Sequence, residues 1–251
     1  MISASFSIGI FIFLTSTYFL AKFFFVDRKG PPVPTGSSSM ILSLLYVVLV
    51  IASQLFINVR NSSDHCNGTP QIVTAFIYTI IPNFFILGLV MLLMKVLPGW
   101  KAPFSNTIGY GVVYMLGVGD AFSDLLKSKK TGALIQKICD DKAIVINEIT
   151  PFNFEVFVDR LGKDKLLKSG YRHKSAYSKL WEFVVIKDSV AEFTWLMLSG
   201  ILVISTTFNT LLEISCDIPT AQRKAATAKF EAEEAKAKSK QSKPKLYTVA
   251  D

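Results

Sequence analysis

Four long apolar runs constrain this chain more than any other feature. Ala4 to Val26 is interrupted only by Lys22. Met40 to Val59 and Gln71 to Leu97 carry almost no charge, and Val190 to Leu212 holds one acid, Glu192, near its start. At 1.5 Å rise per residue, each run is long enough to cross a bilayer's hydrocarbon core. A mean hydropathy of +0.41 and 51% hydrophobic residues exclude both disorder and an ordinary soluble domain. The expected fold class is an all-α membrane protein with four transmembrane helices, a small helical extramembrane domain and a polar C-terminal helix.

The first run reads as a retained anchor and not as a signal peptide. Met1 to Ser5 carries no positive charge, the apolar stretch is too long, and no small-residue cleavage pattern follows. Prolines in Gly30 to Gly36 predict a stiff, non-helical connector to the second span. Pro82 lies in the middle of the third, long span and predicts a kink, with the freed carbonyl satisfied by a neighbouring helix. The fourth span has a polar side of Ser199, Gly200, Ser205, Thr206, Thr207 and Asn209, suited to close helix packing. Glu192, one turn inside, is expected to reach the interface.

Charge sorts the connectors. The first, counted with Lys22, has three bases against one acid, and the segment from Lys95 to Ser189 has 15 bases and 10 acids. With four spans these two share a side, which the positive-inside rule places in the cytosol. The N-terminus, the second connector and the tail then face the opposite side. Asn61 and Asn67 begin two glycosylation sequons in that second connector. Cys66 and Cys216 also fall on that side and can pair where the fold brings them together. Cys139 falls on the cytosolic side. The basic tail runs against this orientation.

Outside the bilayer, residues 98–189 form the expected helical domain, with an interfacial loop over 98–119. Thr150-Pro151 reads as N-cap and first helical position, Phe154, Phe157, Val158 and Leu161 as one helical face, and Gly162 as the stop. Tyr177, Leu180, Trp181, Val184 and Val185 make a second stripe leading towards the fourth span. Ala143 to Ile146 reads as a short strand. The Ala/Lys/Glu-rich tail, residues 213–251, favours a solvated helix by propensity, with Phe230 as a possible contact for a partner.

Signs of catalysis are lacking. There are two histidines, His65 and His173, no HExxH, no CxxC and no P-loop. Gly117-Val118-Gly119 lacks the third glycine of a dinucleotide loop, and Asp140-Asp141 reads as a solvated turn. No catalytic, cofactor or metal residues are expected, and no nucleic-acid partner. One motif needs weighing. Thr107-Ile108-Gly109-Tyr110-Gly111 reads like a potassium-channel filter. Pro98 and Pro103 precede it where a pore helix should stand, and Val112 to Val118 is too short for an inner helix. The preferred reading is an interfacial loop, with Trp100 and Tyr110 at headgroup level, Lys101 facing phosphates or solvent, and Gly109 and Gly111 allowing positive φ or close approach.

The stretch Leu97 to Tyr110, with Cys66-Asn67-Gly68, the Pro82 helix and Lys187 to Trp195 through Asn209, resembles multi-span membrane proteins of nucleocytoplasmic large DNA viruses, the chlorella-virus and mimivirus kind. The likeness covers roughly residues 60–216. It implies a structural protein of an internal virion membrane derived from host endoplasmic reticulum, linking the bilayer to minor capsid proteins. Its partners would be lipid and other capsid or membrane proteins of the same assembly. No catalytic residues come with the resemblance. The alternatives are a potassium-selective channel and an accessory subunit of an organelle membrane complex.

Overall fold

The computed structural model describes residues 2–27, 30, 37–126, 142–216 and 220–241. Cys139, Asp140, Asp141 and most of the Gly30 to Gly36 connector lie outside them. In chain order the helices are α1 (Ala4–Phe25), α2 (Ser37–His65), α3 (Ile72–Pro82), α4 (Leu89–Val96), α5 (Tyr110–Met115), α6 (Val118–Leu125), α7 (Lys142–Glu148), α8 (Phe154–Lys163), α9 (Ser175–Leu212) and α10 (Thr220–Gln241). No strand occurs among the described residues, only an isolated bridge between Leu126 and Leu167. Four helical stretches are long and apolar enough to cross a membrane: Ala4–Phe25, Ser39–His65, Ile72–Val96 and Ser175–Leu212. The protein is an all-α integral membrane protein.

The spans are built with polarity inside and hydrocarbon outside. On α1 the buried stripe is Ser7, Phe11, Thr15 and Tyr18, at helical spacing, while Phe13, Leu20 and Phe25 are exposed to lipid. Each polar member meets a partner on α2. Ser7 Oγ donates to Gln54 Oε1 at 2.6 Å, the Thr15 and Tyr46 hydroxyls lie 3.0 Å apart, and those of Tyr18 and Ser43 3.1 Å apart. Asn58 Nδ2 on α2 donates to Thr79 Oγ1 on α3 at 2.8 Å. Such interhelical bonds average about 0.6 kcal/mol each in a bilayer. Gly200 lets α9 close on α1, since a Cβ there would run into the Phe11 ring.

Pro82 frees a carbonyl that a neighbouring helix satisfies, as expected. Lacking an N–H, it cannot bond the Tyr78 carbonyl one turn back. The Thr207 hydroxyl on α9 donates to that carbonyl at 3.1 Å. The residues that follow, Asn83–Gly88, form a π-helical turn before α4 resumes. Asn83 Nδ2 donates back to the Thr79 carbonyl at 2.8 Å. Thr207, Ser199 and Gly200 are thus the packed part of the polar side of the fourth span, whereas Thr206 and Asn209 are exposed.

The extramembrane part differs from expectation in five places. The fourth span is not a separate helix. It continues the Tyr177 to Val185 stripe as one 38-residue helix, Ser175–Leu212, whose first half packs in a core with Phe122, Ile146, Phe154 and Leu125. Ala143 to Ile146 is helical and not a strand, because the buried Lys187 ammonium satisfies the C-terminal carbonyls of α7, Ile146 O at 2.9 Å and Asn147 O at 3.2 Å. Helix α8 starts at Phe154, after Asn153, and not at Pro151. Thr150 and Asn153 trade side-chain and backbone bonds in a turn that delays it. Gly162 lies inside α8 and does not stop it. It is small because the Tyr171 ring packs there, with the hydroxyl 3.0 Å from where a Cβ would sit.

The fifth difference concerns residues 98–119, which are helical and not a loop. Pro98 opens a 3-10 turn (Pro98–Lys101) and Pro103 sits in the first turn of the helix that follows (Ala102–Phe104), positions where a missing N–H costs nothing. A π-helical turn, Ser105–Gly109, then runs into α5. Gly109 has φ −59°. Positive φ among these residues falls instead on Gly117.

Candidate functional site

The structure separates the chain's polar chemistry into two ends of the bundle. At one end, Ile2 N donates to Asn61 Oδ1 at 2.7 Å, and Cys66 is joined to Cys216 by a disulfide whose Cα atoms lie 5.4 Å apart. The bridge closes a sequence separation of 150 residues, fixing the end of α2 to the end of α9. Of the two sequons, Asn61 lies within α2, is 1% exposed and cannot receive a glycan in this fold. Its Nδ2 has no hydrogen-bond partner among the described residues. Asn67 is exposed in a left-handed turn at φ 52°.

At the other end, six acidic and basic side chains line a cavity of about 380 Å³ between the ends of three spans and the middle of α9. Lys22 continues the inner stripe of α1, four residues after Tyr18. Its Nζ lies 2.6 Å from Glu192 Oε2. Glu192 therefore turns inward to a partner, because leaving either charge unpaired where the spans end would cost several kcal/mol. Lys101 is likewise buried and paired with Asp188, with its ammonium 5.7 Å from the centre of the Phe152 ring. The expected position facing phosphates or solvent is corrected: the 3-10 turn at Pro98 folds Lys101 back onto α9. Trp100 stays half-exposed, and its carbonyl accepts from Trp195 Nε1 at 2.9 Å.

Asp27 and Lys95 complete the six. Asp27 is 8% exposed, and its carbonyl accepts from Trp181 Nε1 at 3.1 Å. Burial, followed by the opposing effects of Lys22 and Glu192, pushes its carboxyl up to about 6. Lys95, at the end of α4, is exposed. Neither forms an ion pair among the described residues.

The five residues from Thr107 to Gly111 do not line this cavity. Gly109 touches α9: a Cβ would sit 2.5 Å from the Lys187 carbonyl oxygen. Tyr110 packs on the extramembrane core and Gly111 has open space where a side chain would be. The carbonyls of a filter must point at an ion, whereas those of this segment belong to helical turns.

The sequence reading missed the four paired charges. The signal was present: Lys22 and Glu192 are the charges that break the first and fourth apolar runs, and intramembrane ionisable groups pair by default. Among the described residues no group of His, Cys, Asp and Glu could hold a metal ion. No family model, curated protein or solved structure matches the chain.

Proposed function

We propose that the protein is a structural anchor: its extramembrane domain takes hold of a protein shell, and its spans fix that grip in the bilayer. One observation carries this reading. Helix α9 runs without a break for 38 residues, about 57 Å at 1.5 Å per residue, from the core of the extramembrane domain to the far side of the bundle. A force applied to the domain passes along one rod and not across a flexible linker.

The rod is braced at both ends of the bilayer. The two buried ion pairs hold α9 to α1 and to the Pro98 turn at one end, and the disulfide holds it to α2 at the other. The polar side chains of the spans named above bond each other across helix interfaces, which suits rigid packing better than a polar path. The resemblance to membrane proteins of large DNA viruses narrows the shell to an icosahedral capsid over an internal virion membrane. The cytosolic side assigned to residues 95–189 is the side on which such a shell would meet the domain.

Cross-linking mass spectrometry on purified particles tests this. Lys163, Lys165, Lys168 and Lys179 of the domain should link to minor capsid proteins. Recovery of the protein only in organelle fractions, or links only to other membrane subunits, would overturn the capsid assignment and favour an accessory subunit of a membrane complex.

A further inference from the structure

The cavity at the charged end has a charge pattern that its internal pairs do not exhaust. Lys22 is matched by Glu192 and Lys101 by Asp188, so four of the six acidic and basic groups neutralise one another. Among the described residues one cation and one anion of the lining are left without an ion pair, the exposed Lys95 at the rim and the buried Asp27. Hydroxyls of Ser39 and Ser43 lie between the helix ends, and Met40, 71% exposed towards lipid, shares the lining. The site stands where α1 and α4 end and α2 begins, the ends that a bilayer crossed by these helices would bring to its headgroup region.

The geometry points to a binding site for one zwitterionic glycerophospholipid, its phosphate held by Lys95 and its ammonium by Asp27, with an acyl chain leaving past Met40. A cation at the mouth and an anion inside, neither of them in an ion pair among the described residues, match a headgroup that presents phosphate first and ammonium last. An anionic lipid would satisfy Lys95 and leave Asp27 facing a negative charge. A cationic ligand without phosphate would leave Lys95 unused. The volume suits a headgroup and not a whole lipid. Two headgroups share this chemistry. A primary ammonium would donate hydrogen bonds to Asp27, while a trimethylated one would be read by the aromatic faces of Trp181 and Phe152, which also line the cavity. The inference depends on the chain lying in a bilayer and not on which bilayer it is.

Native mass spectrometry of the full chain in detergent tests it, titrating phosphatidylethanolamine, phosphatidylcholine and phosphatidylglycerol separately. One zwitterionic lipid should bind per chain, with phosphatidylglycerol weaker by tenfold or more. Lys95→Gln and Asp27→Asn should each lower that affinity about tenfold, the worth of one charge-assisted hydrogen bond. Whichever of the two zwitterions binds more tightly identifies how the ammonium is read. Phosphatidylglycerol binding as tightly as the zwitterions, or more tightly after Asp27→Asn, would overturn the proposal, as would unchanged affinity in Lys95→Gln. Lys95 is exposed, so that variant keeps the test decisive even where Asp27→Asn fails to form the Cys66–Cys216 bridge.

Discussion

Gly109→Ala and Gly111→Ala should shift stability in opposite directions, although the two glycines are neighbours in one five-residue motif. At Gly109 a new Cβ would stand 2.5 Å from the Lys187 carbonyl oxygen, 3.2 Å from its carbonyl carbon and 3.1 Å from its Cγ. The nearest atom is backbone of α9 and cannot rotate away. To move from 2.5 Å to an ordinary contact at 3.4 Å, the segment and α9 must part by about 0.9 Å. That separation also disturbs Lys187, whose Nζ holds the end of α7. Overpacking of this kind costs about 1–3 kcal/mol. Taking ~2 kcal/mol, the thermal midpoint in detergent falls by roughly 4–8 °C for a chain of this size. At Gly111 nothing lies within 4 Å of the new Cβ and the backbone is helical. Alanine there removes the glycine's entropic penalty and gains about 0.5–1 kcal/mol. Differential scanning fluorimetry on the two variants and the wild type decides the matter. A Gly109→Ala protein as stable as wild type would refute the close-approach argument. Equal losses in both variants would point to a shared role for the motif, as in a filter, and would be followed by potassium-flux measurements.

Three further outcomes follow from the charged end and the bridged end. Lys101→Met should destabilise by about 3–5 kcal/mol, because it leaves Asp188 buried and unpaired, and Asp188→Leu in the same chain should recover most of the loss; urea titration in micelles checks both, and no recovery in the double variant would mean that the pair is not the cause. Asp27 titrates near 6 in the fold, against about 3.9 in an unfolded chain. The native state therefore binds that proton more tightly, and this group's contribution falls as pH rises from about 4 to 6. Burial sets the shift, Lys22 and Lys101 opposing it and Glu192 and Asp188 adding to it. In lipid-free detergent, wild type and Asp27→Asn should unfold alike at pH 4, and the variant should be the more stable by roughly 2–3 kcal/mol at pH 7; parallel curves would remove the group from the argument. Expressed in microsomes, the chain should carry glycan at Asn67 if at either sequon, and modification at Asn61, read by Asn→Gln shifts on gels, would contradict its burial.

What the sequence made legible was set by the bilayer. Hydrocarbon imposes length and apolarity on each span, so the four spans stood out, and Pro82 with a hydroxyl-bearing fourth span foretold the bond that Thr207 makes to the Tyr78 carbonyl. Where water and tertiary contact decide, the reading failed. The run Ala143 to Ile146 is compatible with strand or helix by periodicity, and the choice fell to Lys187, forty residues away, whose ammonium caps the helix. Pro98 and Pro103 are helix breakers in an interior and helix starters in a first turn; which applies depends on where the preceding helix ends, and nothing local to the motif states that. The charged cluster was missed for a different reason. Lys22, Asp27, Lys101, Asp188 and Glu192 lie in three separate stretches of sequence, and each alone looks like a residue escaping to the membrane surface. Only when the spans are laid antiparallel does each basic group fall level with an acidic one, and at that depth pairing costs less than escape. An inward-facing charge pair was therefore available from the topology argument itself, since the same connector charges that set which ends share a side also set which charges must meet there.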